Sequence, residues 1–110
     1  MSDSFEDFMV ELRQEFLGKL PAHSRTITDA WRDAMADRER KEALSRLATN
    51  ARHLAGAGRT FGCPEISEAA ETLEFCLIKV RRGANIRLEE MTPFIAELIA
   101  AINWAHLEKY

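Results

Sequence analysis

The chain has 110 residues, a net charge of −3, and 46% hydrophobic and 30% charged side chains, which suits one domain, read as residues 1–110, with roughly two thirds of the unfolded surface hidden on folding and no need of a disulfide or structural metal. The charge lacks the Lys and Arg excess that binding to phosphate backbones requires, which argues against nucleic acid, and the longest apolar stretch, Pro93 to Ala105, falls short of the roughly 20 residues of a membrane span. The acidic start MSDSFEDF is unlike a secretory leader, and Cys63 and Cys76 fit no metal spacing, so a reducing cytoplasm is the expected location.

Five Gly and three Pro punctuate the chain, and no run alternates apolar and polar residues long enough for a half-buried strand, so the fold class is all-α. Phe5, Phe8, Leu12, Phe16 and Leu20 recur at three and four residues and predict one buried stripe on a first helix, with Asp3 or Ser4 as N-cap. Pro21 suits the first turn of a second helix, where Ile27, Ala30, Trp31 and Ala34 share a face and which ends near Ala36. Asp37 is the expected N-cap of a third helix whose stripe is Leu44, Leu47, Ala51, Leu54, Gly58 and Phe61. Gly62 and Pro64 stop and restart the chain, and a fourth helix runs through Ile66, Ala69, Leu73, Cys76 or Leu77, and Val80 to a cap at Gly83. The fifth turns Leu88, Met91, Ile95, Leu98 and Ile102 inward, with Thr92-Pro93 either in its first turn or marking a later start. Long helices with single apolar stripes and short connections predict an antiparallel up-down four-helix bundle with an additional N-terminal helix packed alongside or over an end. The Met, Phe and Trp side chains are expected to fill its core.

Motifs of self-contained enzymes are absent: no zinc-binding pair of histidines, no phosphate-cradling Gly-rich loop, no strand-borne nucleophile. Of the three histidines, His23 follows a helix break and His106 lies in the last turns, where both read as solvated. His53 lies mid-helix and is followed by Ala55, Gly56, Ala57 and Gly58. Each glycine inside a helix costs about 1 kcal/mol relative to alanine, so two within three positions call for close approach. Gly58, on the buried stripe, suits a neighbouring helix; Gly56, one turn beyond Arg52 and His53, points outward and leaves a bare patch where another protein can close over a protruding side chain.

The segment ARHLAGAGRTFG at residues 51–62, followed by CPEISEAAETLE, resembles the histidine-containing phosphotransfer (HPt) domain family, whose pattern is approximately A-H-x-L-K-G, several small residues, a glycine, and a Leu-Glu pair about ten residues on. Ala51, Leu54, Gly56, Gly62, Leu73 and Glu74 match, and FMVELRQEFLGKLP looks like the family's N-terminal helix, so the resemblance covers most of the chain. It implies a helical bundle whose exposed histidine takes a phosphoryl group from a receiver aspartate or a kinase and hands it on. It implies no cofactor in this chain, since the divalent metal belongs to the partner receiver. Aligned without a gap, however, the family's phosphorylated histidine falls on Arg52 and its lysine on Ala55, with His53 one position late. Guanidinium stays protonated and offers no lone pair to phosphorus, whereas neutral imidazole does, so His53 is the candidate acceptor.

With Ala51 and Leu54 setting the inward direction, rotation of about 100° per residue puts Arg52 and His53 roughly 130° from the core on opposite flanks. Residues 21–62 hold 8 basic and 5 acidic side chains, a surplus of +3, while residues 1–20 hold 2 and 5, or −3. Arg46, Arg52 and Arg59 therefore form a candidate basic surface that steers an acidic receiver site, with Gly56 as the bare patch and Arg52 or Arg59 balancing phosphate charge. The expected partners are a response-regulator receiver domain, a histidine kinase, or both. The alternatives are a degenerate HPt-like module that binds receivers or a kinase without being phosphorylated, and a helical dimerisation domain unrelated to phosphate.

Overall fold

A computed structural model of the chain describes the backbone of residues 2–110 and the side chains from Ser4 onward. Five α-helices, α1 (Ser2–Gly18), α2 (Leu20–Met35), α3 (Arg40–Thr60), α4 (Pro64–Arg81) and α5 (Thr92–Lys109), are accompanied by one 3₁₀ turn at Leu88–Met91. There is no strand among the described residues. α3 packs on α2 and α4, and α5 closes the ring by packing on α4 and α2. The stripes meet in a helical bundle whose core includes Leu20, Ile27, Leu47, Leu54, Ile66, Leu73, Leu77, Met91, Leu98 and Ile102, all under 2% exposed. Burial of each such side chain contributes about 1.5–3 kcal/mol. No helix is long and apolar enough to cross a membrane among the described residues.

Lys19, itself in right-handed helical conformation (φ −88°, ψ −5°), is the only residue between α1 and α2. Pro21 lacks the N–H that would bond the Leu17 carbonyl, and His106 Nδ1 of α5 occupies that place at 3.1 Å. A carbonyl only accepts, so His106 carries its proton on Nδ1. His106 is thus half-buried and structural rather than solvated.

The two helices span 34 residues, or about 51 Å at 1.5 Å per residue, close to the longest dimension of the molecule, 54 Å. α1 is therefore longer than its support. Phe16, Leu17 and Leu20 are buried, but Phe5 and Phe8 are 68% and 54% exposed, which corrects the expectation of a buried stripe from end to end. The stripe continues past the level where α3 ends, at Phe61, which stacks on Phe16 with ring centres 5.3 Å apart. Phe75 and Trp104, 61% and 47% exposed, likewise lie outside the core expected to hold them.

Two boundaries also differ from expectation, and a third was open. α1 is already helical at Ser2, so neither Asp3 nor Ser4 caps it. Asp37 does not cap α3: Asp37 and Glu39 both take left-handed backbone (φ 56° and 44°) to reverse the chain, and Glu39 is the residue before the first turn. The carboxyl end of α2 is closed instead by Arg40, whose Nε donates to the Ala34 carbonyl at 2.9 Å. The choice left open near Pro93 resolves as a separate 3₁₀ turn followed by a helix with Pro93 in its first turn.

Candidate functional site

Ala51, Leu54, Ala55 and Gly58 of α3 are buried, and Arg52, His53 and Gly56 between them are exposed. On the α4 side, Arg52 Nε donates to Glu74 Oε2 at 3.0 Å and Arg59 Nη1 to Glu71 Oε1 at 2.6 Å. Seven residues on α3 span two turns and three on α4 nearly one, so the two pairs run along one seam. Gly58 lies where α4 approaches closely: a Cβ built there would stand 2.7 Å from Ser67 Oγ and 3.0 Å from the Cys63 carbonyl. Ser67 is fully buried and donates to the Ala55 carbonyl at 2.6 Å. The expectation that Gly58 admits a neighbouring helix is met by α4. Ala55, where the resemblance puts the family's lysine, is 8% exposed.

On the α2 side the groups are different. His53 is exposed, and its ring centre lies 5.5 Å from that of His23 on α2, the planes tilted by 32°. His23 is half-buried, which corrects its reading as a solvated residue. Burial pushes its pKa below the ordinary 6.5, the charges of His53 and Lys19 act in the same sense, and a hydrogen bond with the Asn50 side chain opposes them. Arg46, further down this flank, donates to Asp33 Oδ2 of α2 at 2.9 Å. Between the flanks, Gly56 is exposed and a Cβ placed on it would meet nothing within 4 Å.

The structure therefore sets Gly56 on an open ridge between His53 on the α2 flank and Arg52 and Arg59, whose side chains reach toward α4. Each of the three candidate arginines already holds a carboxylate, and Glu71 and Glu74, which lie outside residues 21–62, offset part of the positive surplus read for that segment. Surface pairs of this kind are worth little each, and a docking partner can exchange them. His23 was missed in the sequence, although a signal was present: it stands three residues after Leu20 and four before Ile27, on the spacing of the buried stripe.

The cysteines add no nucleophile. Cys63 and Cys76 are free, and burial raises the pKa of both thiols, which disfavours the thiolate. Among the described residues no group of three His, Cys, Asp or Glu side chains is placed to hold a metal ion.

The family comparison agrees with an all-α helical bundle. The Hpt domain family model matches residues 11–105, from the second half of α1 to the last turns of α5. No curated protein and no solved structure matches the chain. Hpt domains are helical-bundle modules of histidine phosphotransfer in two-component phosphorelay signalling, and they interact with histidine kinases and receiver domains. With most of its length matched, this chain belongs to the Hpt domain family.

Proposed function

We propose that this domain accepts a phosphoryl group on His53 from a response-regulator receiver or a histidine kinase in the cytoplasm and passes it to a receiver. In this reading α2 to α5 form an antiparallel up-down four-helix bundle and α1 is the additional N-terminal helix. The observation that carries it is the exposure of His53 beside Gly56, where nothing stands within 4 Å of a built Cβ, so a receiver can close over the ring. A lone pair on a neutral His53 ring nitrogen attacks phosphorus of the acyl phosphate. The N–P bond forms, the bond from phosphorus to the aspartate oxygen breaks, and the aspartate leaves as carboxylate. The domain contributes position and the receiver supplies the divalent metal, which suits a reaction governed by in-line geometry. Arg46, Arg52, Gly56 and Arg59 serve as the docking surface, the arginines exchanging their present carboxylates for those of the receiver.

Incubation with a phosphorylated receiver or a kinase, followed by a search for acid-labile, base-stable phosphate, tests the reading. Wild type labels and His53→Gln does not. One observation favours a second reading: Arg52, which the resemblance aligns with the family's histidine, is paired with Glu74, as suits a degenerate module that binds receivers through charge alone. Binding without labelling selects that reading, and absence of both selects a helical module unrelated to phosphate.

A further inference from the structure

The seam between α2 and α3 holds groups that the acceptor role by itself does not use. Lys19 stands one turn before His23 on the same side of the α1–α2 rod, and its charge acts on the His23 ring. Lys19 makes no ion pair among the described residues, in contrast to Arg46, Arg52 and Arg59. Asn50, one turn before His53 on α3, donates its Nδ2 to the Arg46 carbonyl at 3.0 Å, and its side chain acts on His23 in the opposite sense to the charges. The charged and titratable groups acting on His23 are thus Lys19 from its own side and His53 from α3, all cationic when charged.

Burial foremost, with the like charges of His53 and Lys19 adding to it, holds the empty cluster's His23 ring toward its neutral form. A phosphoryl group reverses that balance, because it brings close to two negative charges and three strong acceptor oxygens. With ring centres 5.5 Å apart, modest side-chain rotation brings oxygens attached to His53 within reach of a His23 N–H. On the α4 side Arg52 and Arg59 are engaged by Glu74 and Glu71 and would have to give up those carboxylates before either met a phosphoryl group.

Resting on His53 as the acceptor, we infer that Lys19 and His23 form the phosphoryl-holding site of this domain: His23 takes a proton from solvent when His53 is phosphorylated, and the imidazolium and the Lys19 ammonium then hold the phosphoryl oxygens. The covalent step is unchanged, and the added proton ends on His23. Charge-assisted hydrogen bonds of this kind are about twice as strong as neutral ones, so the phosphorylated state outlives one that lacks them.

Phosphoramidate, a small-molecule phosphoryl donor, tests this without any protein partner. The wild-type chain is phosphorylated, freed of donor, and the ring protons of His23 are titrated by NMR before and after. The expected result is a rise of at least one pKa unit at His23, tenfold in proton affinity, on phosphorylation of His53. Lys19→Ala and His23→Gln should lose phosphate several-fold faster than wild type, and Lys19→Arg should restore the slow rate. If His53 is labelled while the His23 titration and the decay rates stay unchanged, the holding site is overturned and the acceptor role stands. If phosphoramidate leaves His53 unlabelled, both are overturned. The wild-type titration needs no variant, so a misfolded substitution does not rescue the inference.

Discussion

The two flanks of α3 differ in what their surfaces are committed to. Toward α4, Arg52 and Arg59 are tied to Glu74 and Glu71, and Gly58 is pressed against Ser67. That flank is a closed seam. Toward α2, His53 lies exposed over a half-buried His23, and the outward ridge at Gly56 carries no side chain and meets none. The difference shows how one helix divides its work: residues a single position apart, Arg52 and His53, are turned by about 100° into an interhelical ion pair on one side and a candidate acceptor on the other.

The comparison breaks first if the acceptor flank is moved. In the double variant Arg52→His, His53→Arg the imidazole shifts to the α4 side by several ångströms, where about 1 Å of misplacement already costs 100-fold. Transfer from a receiver should fall by about 100-fold or more, measured as the initial rate of labelling; an equal or faster rate would mean that partners read the α4 flank. Gly58→Ala comes next. Its Cβ would stand 2.7 Å from Ser67 Oγ, and overpacking of about 1–3 kcal/mol outweighs the gain of about 1 kcal/mol in helix propensity. Thermal melting should show a net loss, at about 4–8 °C per kcal/mol.

Gly56→Ala should do the opposite, stabilising the fold by about 1 kcal/mol because the new Cβ meets open space, while weakening receiver binding in a pull-down or titration. Opposite signs at positions two residues apart would sharpen the contrast, and equal signs would remove it. Arg52→Ala should cost under about 1 kcal/mol in a denaturant titration, since its side chain is 79% exposed. The last expected effect is on pH dependence. The folded-state pKa of His23 is depressed, so the unfolded chain binds the proton more readily and stability falls as pH drops below about 6.5. His23→Gln should remove that part of the slope below pH 6.5, measured by urea unfolding at each pH.

The helices and most of their inward faces were legible because apolar residues at three- and four-residue steps specify a face directly. Periodicity does not say whether another element stands opposite that face. Phe5 and Phe8 continue the stripe of Phe16, yet α1 outruns the helices that would cover them. Asp37 reads as an N-cap by residue type, but the reversal between α2 and α3 is built from two left-handed residues, and side-chain preference alone does not reveal a turn of that kind. At the candidate site, the opposite flanks of Arg52 and His53 followed from rotation along the helix. The carboxylates that hold Arg46, Arg52 and Arg59, and the approach of His23 to His53, depend on the register between helices. That register is set by packing and leaves no local mark.

His53 on the α2 flank is the proposed phosphoryl acceptor. A two-dimensional proton–phosphorus NMR correlation on the domain labelled by a phosphorylated receiver tests it most directly. The account predicts one phosphorus signal, coupled to the ring protons of His53 and absent from His53→Gln. A phosphorus signal coupled to His23 or His106, or receiver binding with no phosphorus signal at all, would contradict it.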